Sequence, residues 1–289
     1  MTKRKILLQF DSDPHASVFD AVVAVDAGVD QLLQYSEVEP TEVRELVHGA
    51  MFTRGPQDLL NTAIFIGGSN VSAGEELLKQ VKACFFGPLR VSVLLDANGA
   101  NTTAAAAVLA AAKHVELRGA TAAVLAGTGP VGQRAARLLA RQGAKVHVAS
   151  RSLDKAKHVC GVIQQLVAGA ELTPVEIRTS EGATAAIKGA QIVIAAGAAG
   201  VELLSSDARA GSRALRVAID LNAVPPAGIA GIDVMDKAKE RDGLICYGAI
   251  GVGGTKMKIH RAAIQRLFTA NNLVLDAEEV FAIGQELPS

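Results

Sequence analysis

Val124-Leu125-Ala126-Gly127-Thr128-Gly129-Pro130-Val131-Gly132 reads as a buried strand, a tight glycine turn and the opening of a helix. The spacing is GxGxxG. Gly127 permits the turn, Gly129 lets backbone approach a pyrophosphate, and Gly132 lets helix and strand pack closely. The helix start, Thr128 to Val131, offers unpaired N–H groups and a positive dipole end to phosphate. By itself the spacing is weak, because glycine-rich α/β chains produce it by chance. Here an apolar run precedes it and an amphipathic helix, Gln133 to Gln142, follows it. That context predicts a dinucleotide site.

The next strand, Lys145 to Ala149, bears on which dinucleotide. An NAD site places Asp or Glu about 20 residues on, to hold the ribose 2′-hydroxyl. This chain has Ser150-Arg151-Ser152 there, with Lys155 beyond. No carboxylate repels a 2′-phosphate, and a guanidinium grips phosphate in a planar fork. Ser150 and Ser152 add hydroxyl donors. The expected cofactor is NADP. Asp154 reads as a first-turn helix residue.

Working outward, strand-like and helix-like segments alternate almost throughout, which predicts βαβ units and parallel sheets. Expected strands are Lys5–Phe10, Gln31–Tyr35, Ala63–Ile66 and Arg90–Leu95, then Val175–Arg178, Ile192–Ala195, Val217–Asp220 and Leu244–Tyr247. Expected helices include Ser17–Ala27, Thr41–His48 with Thr41 as cap, Val71–Cys84, Asn101–Lys113 with Asn101 as cap, and Asp154–Leu166. A short helix is expected at Thr184–Lys188, and two more near Lys256–Phe268 and Asp276–Glu286. The fold class is α/β in two domains with a cleft between them. Residues 1–105 form an N-terminal parallel α/β substrate domain, completed by C-terminal helices within 256–289. Residues 106–255 form a Rossmann-type NADP-binding domain.

Composition agrees. The chain has 289 residues, 49% of them apolar, with no Trp and zero formal net charge. Nothing suggests a nucleic-acid footprint or a membrane-surface patch. The apolar run ending at Phe10 is too short for a signal peptide, and no run approaches a membrane span. Cys84, Cys160 and Cys246 are odd in number and far apart, so a disulfide framework is not expected. The reading is a reduced, cytoplasmic protein. No HExxH, CxxC, GxSxG or P-loop lysine is present, so a metal site, a serine nucleophile and an NTPase are not expected.

Three strand-end loops are placed to line a nicotinamide site. Ala195-Ala196-Gly197-Ala198 brings small residues to the ribose. Asn222, in Asp220 to Pro226, offers a donor and an acceptor, although it reads equally as part of a tight turn. Gly253 lies in the third, Gly251 to Gly254. On the first-domain side Phe19 and Asp20 follow a polar loop, and Phe19 is suited to stack on a flat ring. Pattern alone serves a core Phe and a solvated Asp as well. Lys256 and Lys258, with His260 and Arg261 beyond, suit an oxygen-rich substrate or a solvated helix face.

Several blocks together carry a resemblance. They are Phe10-Asp11, Ser17-Val18-Phe19-Asp20, Thr62 to Gly68, Phe85 to Pro88, Asn98-Gly99 with Asn101 to Ala106, and Leu125 to Gly132. Later come Gly189-Ala190, Glu202 to Leu204, Pro225-Pro226 with Gly228-Ile229 and Gly231 to Asp233, and Gly253-Gly254 with Lys256, Lys258 and His260-Arg261. The chain resembles the NADP-dependent methylene-tetrahydromethanopterin (methylene-tetrahydrofolate) dehydrogenases of methylotrophic bacteria. The resemblance implies hydride transfer from a methylene group bridging two pterin nitrogens to NADP+, within one-carbon metabolism. The methenyl cation is stabilised by its own nitrogens, so no general base is required. It further implies a small-molecule pterin substrate and a homo-oligomer. It places substrate contacts at Phe19, Asp20, Asn98 and Lys256, with Asp20 and Lys256 positioning the reaction. The family's common Gly-Arg at the end of the second Rossmann strand is Ser150-Arg151 here. Pterin choice and NAD tolerance stay open. So do a shikimate-type dehydrogenase and a non-enzymatic NADPH-sensing regulator as other readings of the same layout.

Overall fold

A computed structural model of the chain describes residues 3–288. The chain divides into two compact units, one reaching Thr102 and resuming at Met257, the other spanning Thr103–Lys256.

The first unit is built on a five-stranded parallel sheet. Its strands are β1 (Ile6–Phe10), β2 (Gln31–Tyr35), β3 (Thr62–Ile66), β4 (Ser92–Leu95) and β12 (Val274–Leu275), in the order β12-β4-β3-β1-β2. β3 lies at the centre and every residue of Thr62-Ala63-Ile64-Phe65-Ile66 is buried, as a strand covered on both faces requires. The edge strand β2, Gln31-Leu32-Leu33-Gln34-Tyr35, mixes polar and apolar residues and stays partly exposed. Helix α1 (Val18–Asp26) begins where the Ser17 hydroxyl accepts the Asp20 N–H. Helix α3 (Val71–Ala83) begins in the same way at Asn70, which accepts from Ala73.

Chain order reverses between β1 and β3, so the ends of these strands form a topological switch point. β12 joins β4 through the C-terminal segment. Val93 N–H donates to Leu273 O at 2.9 Å, and the Ser92 hydroxyl donates to Ala270 O at 2.8 Å. Helix α10 (Ala277–Glu286) follows, closed by a capping box between Asp276 and Glu279.

The second unit carries a seven-stranded sheet. Its strands are β5 (Thr121–Leu125), β6 (Lys145–Ser150), β7 (Leu172–Glu176), β8 (Ile192–Ala195), β9 (Val217–Asp220), β10 (Lys239–Arg241) and β11 (Leu244–Tyr247), in the order β10-β11-β9-β8-β5-β6-β7. All neighbours are parallel except the β10–β11 hairpin. The order reverses between β5 and β8, the arrangement of dinucleotide-binding sheets. The core is built of small and branched residues. Ala122, Ala123, Val124 and Leu125 of β5 and Ile192, Val193, Ile194 and Ala195 of β8 are fully buried.

Several expectations need correction. Helix α2 (Val43–Phe52) starts two residues after Thr41 and has no side-chain cap. Asn101 lies inside helix α4 (Ala100–Ala112) rather than capping it. Asp96 serves that end, accepting the Asn101 and Thr102 N–H groups at 2.9 and 3.0 Å. β7 begins three residues before Val175 and contains Pro174, which is tolerated because β7 is an edge strand. Helix α7 (Ser180–Ala186) is capped by Thr179 and precedes the expected position. The glycine-rich stretch expected as a loop belongs to helix α9 (Ala249–Leu267). A Cβ on Gly248 would lie 2.1 Å from Asp233 O, and one on Gly251 would lie 1.7 Å from Asp236 O. Those glycines therefore admit neighbouring backbone rather than form a turn. Short elements such as α8 (Ser206–Ala210), β10 and β12 are too brief to announce themselves by periodicity.

Candidate active site

In the second unit the turn between β5 and α5 (Pro130–Arg141) lies at the sheet's switch point. Gly127 N–H donates to Ala149 O at 2.8 Å, tying the turn to β6. Ala126 adopts a left-handed φ of 54°, and Gly129 N–H closes the turn onto its carbonyl at 3.0 Å. The three motif glycines differ in what surrounds them. A Cβ on Gly127 would meet Val124 O at 2.9 Å and Val148 Cγ1 at 3.0 Å. One on Gly132 would meet Ala126 O at 2.6 Å and Gly127 Cα at 2.8 Å. Both positions are therefore filled by the protein itself. On Gly129 the nearest atoms are Ala126 O at 3.5 Å and Ala196 O at 3.8 Å, ordinary contact distances. The protein does not fill this position, which suits a pyrophosphate. Pro130 occupies the first helical position, where its missing N–H costs nothing. Val131 follows it, half-buried.

β6 ends at Ser150, which is buried, with its hydroxyl 3.1 Å from that of Thr128. Arg151 comes next and is exposed, and its carbonyl accepts Arg178 Nε–H at 2.9 Å. Ser152 caps α6 (Leu153–Leu166), accepting the Lys155 N–H at 3.3 Å, and Lys155 itself is exposed. The end of β6 therefore presents a guanidinium, an ammonium and hydroxyls, with Asp154 in the first helical turn.

After β8, Ala196 N–H donates to Leu125 O at 3.0 Å, and Ala196, Gly197 and Ala198 continue into the loop. A Cβ on Gly197 would come within 2.7 Å of Leu203 Cδ1, so small size is needed there for packing. Asn222 is engaged in its own loop. Its amide donates to Pro226 O and its carbonyl oxygen accepts Val224 N–H, both at 3.0 Å. The buried Asp220 holds the same loop by accepting Asn222 and Ile229 N–H groups at 3.0 Å, and burial raises its pKa against those bonds. A cavity of about 320 Å³ is lined by Asp220, Asn222, Val224, Pro225, Ile232 and Val234. Gly253, expected in a strand-end loop, is instead inside α9, because the helix starts at Ala249.

In the first unit a second polar cluster forms at the β1/β3 switch point. Asp11, following β1, accepts the Asp13 and Ser17 N–H groups at 3.0 Å. The Asp96 carboxylate takes the Thr102 hydroxyl at 2.6 Å in addition to its two backbone donors. Asp20, on α1, lies close to both acids. Burial is the largest influence on it and raises its pKa, the carboxylates of Asp96 and Asp11 add to the rise, and His260 and Ser17 oppose it. Gly67, after β3, leaves room for this group, since a Cβ there would stand 3.3 Å from Asp20 Oδ2. Phe19 is 52% exposed, an unusual position for a large aromatic. Asn98 is exposed with φ 53°, and its N–H donates to Gly68 O at 2.6 Å. Lys256, half-buried in α9, is the last residue of the second unit.

The fold thus gathers Phe19, Asp20 and Asn98 at the strand ends of one sheet. It gathers the glycine turn, Ser150 and Arg151 at those of the other. Sequence reasoning did not single out Asp11, Asp96 or His260 as parts of a cluster. An acid directly after a mostly apolar strand was the available signal for the first two.

A parallel sheet, and a second sheet parallel but for one edge hairpin with a GxGxxG turn at its switch point, define a Rossmann-type dinucleotide-binding fold. Solved structures agree on the fold. The chain superposes on quinate dehydrogenase from Corynebacterium glutamicum with a TM-score of 0.56 at 14% identity, covering 99% of this chain and 100% of that one. For shikimate 5-dehydrogenase from Listeria monocytogenes the values are 0.56 and 17%, over 98% and 96%. Sequence comparison defines the family. Residues 18–98 match the model for the N-terminal part of methylene-tetrahydromethanopterin dehydrogenase. The chain is 44% identical to the "Bifunctional protein MdtA" of Methylorubrum extorquens strain AM1, over 98% of this chain and 99% of that one. It is 32% identical to the "NAD(P)-dependent methylenetetrahydromethanopterin dehydrogenase" of the same strain, with the same coverage. The chain belongs to the methylene-tetrahydromethanopterin dehydrogenase family.

Proposed function

We propose that the protein oxidises methylene-tetrahydromethanopterin to the methenyl cation with NADP+. The observation that carries this reading is the open position at Gly129, in a chain that aligns end to end with two members of the family. Gly127 to Gly132 would hold the pyrophosphate, with Ser150, Arg151, Ser152 and Lys155 at the 2′-phosphate. Ala196 to Ala198 would run beside the nicotinamide ribose, and Asn222 would shape that wall through its loop. When bound, the nicotinamide ring supplies a hydride acceptor. Phe19, Asp20 and Asn98 would bind the pterin, Phe19 by stacking and Asp20 by accepting hydrogen bonds from ring N–H groups. Lys256 would add a positive charge and a donor for pterin oxygens.

The substrate's nitrogens stabilise the cation, so these residues orient and exclude water rather than move a proton at the reacting carbon. We place the protein in the cytoplasm as a homo-oligomer. Its three free cysteines support the first. Among the described residues no helix is long and apolar enough to cross a membrane. The exposed Val18, Val22 and Val25 share one face of α1 and support assembly.

The test is absorbance at about 340 nm, where reduced nicotinamides absorb and oxidised ones do not. NADP+ is supplied with methylene-tetrahydromethanopterin and, in parallel, with methylene-tetrahydrofolate. Signal with the methanopterin substrate is expected. Signal with folate alone would reassign the pterin, and none with either would refute the reading. Asp20→Asn is expected to lower kcat/KM about tenfold, the loss of one charge-assisted hydrogen bond, with NADPH affinity unchanged.

A further inference from the structure

His260 is 1% exposed, and its ring packs near two phenylalanines of the first unit. It stacks on Phe65 of β3, with centroids 5.5 Å apart and planes at 30°. It also meets Phe19, with centroids 6.3 Å apart and planes at 31°. Its Nε2 stands 3.9 Å from Asp20 Oδ1. One buried imidazole on α9 therefore touches both α1 residues assigned above to the pterin. Phe65 is itself 1% exposed in the central strand, so the stack rests on the rigid middle of the sheet.

We propose that His260 is a positioning residue of the pterin site, bracing the exposed ring of Phe19 and holding the Asp20 carboxylate in place. The inference rests on the reading of Phe19 and Asp20 as pterin contacts. Three acids meet at this end of the sheet. Asp11 after β1 and Asp96 after β4 both work against ionisation of Asp20, as burial does. Against them stand the Ser17 hydroxyl and His260, and of these two only the imidazole can carry positive charge. The histidine does not contact substrate in this arrangement. It acts through the two residues that do.

The substitution that separates the two contributions is His260→Phe. It keeps a ring against Phe65 and Phe19 and removes the nitrogen facing Asp20. The full-length variant is expected to keep NADPH affinity, which depends on the second unit. Its acid limb in the pH profile of kcat/KM is expected to move up by about one pH unit, because an opposite charge about 4 Å away is lost. The sign follows from the group: a protonated imidazole opposes proton uptake by Asp20, so without it Asp20 protonates more readily and activity is lost at higher pH as acid is added. The KM for the pterin is expected to rise about tenfold near neutrality, with a smaller change in kcat. His260→Gln keeps a polar nitrogen and discards the ring and the charge. It carries the same expectation for the limb, so the test does not depend on one variant folding.

A purely structural histidine would lower the melting temperature and leave the limb in place. Asp20→Asn serves as the reference and is expected to abolish that limb. An unmoved limb in the folded His260 variants, with the limb absent in Asp20→Asn, overturns the role of His260 alone. A limb that persists in Asp20→Asn overturns the assignment of Asp20 to the site, and this inference with it.

Discussion

Gly129→Val should fold and bind no measurable NADPH, whereas Gly132→Val should fail to fold stably. The two glycines stand three residues apart in one motif, and the difference arises from what surrounds them. A Cβ on Gly132 would sit inside the van der Waals shell of the turn's own backbone, 2.6 Å from Ala126 O and 2.8 Å from Gly127 Cα. Neither atom can move without separating α5 from β5, and overpacking of this kind costs about 1–3 kcal/mol or more. At Gly129 the nearest protein atoms are 3.5 and 3.8 Å away, so the first carbon of a side chain is accommodated. The space it takes is where the proposed pyrophosphate approaches backbone. Losing that approach removes several phosphate hydrogen bonds at once, each worth about 1.5–3 kcal/mol. Affinity should fall by more than about a hundredfold. Circular dichroism and fluorescence titration with NADPH check both variants. A folded Gly129→Val protein with normal NADPH affinity would show that the turn only packs the helix on the sheet.

Arg151→Ala should raise the KM for NADP+ about ten- to a hundredfold and leave the KM for NAD+ nearly unchanged. Arg151 is exposed at the end of β6, and its backbone is fixed through its carbonyl by Arg178. Its guanidinium is therefore placed without being consumed by that bond. The neighbouring hydroxyls have duties of their own. Ser152 caps α6, and the Ser150 hydroxyl meets Thr128. Charge-assisted recognition of a 2′-phosphate then falls chiefly to Arg151, with Lys155 one helical turn further on. Steady-state kinetics with both nucleotides decide it. Equal losses with NADP+ and NAD+ would mean that Arg151 does not read the 2′-phosphate.

The glycine turn, the alternation of elements and the basic end of β6 were legible because each depends on local chemistry. Gly127, Gly129 and Gly132 carry their reasons within nine consecutive residues. The missed features share a different origin. Pro174 hides the start of β7 from a reader of propensities, and only the strand's place at the sheet edge makes it acceptable. Gly248 and Gly251 look like loop formers, yet they are small because the Asp233–Lys237 backbone presses on α9. The cluster around Asp20 needs β1, β3, β4, α1 and α9 brought together. His260 is 240 positions from Asp20, and nothing in its own helix announces the Phe65 stack. Spacing within one element shows which face a residue takes, but not which distant element meets that face.

The most direct test of the central claim follows the hydride itself. The protein is supplied with NADP+ and methylene-tetrahydromethanopterin carrying two deuterons on the bridging carbon, and both products are weighed by mass spectrometry. Direct transfer predicts that the reduced cofactor carries one deuteron and that the methenyl product keeps the other, with no exchange into water. Reduced cofactor without deuterium, or deuterium lost to solvent from the bridging carbon, would contradict the account.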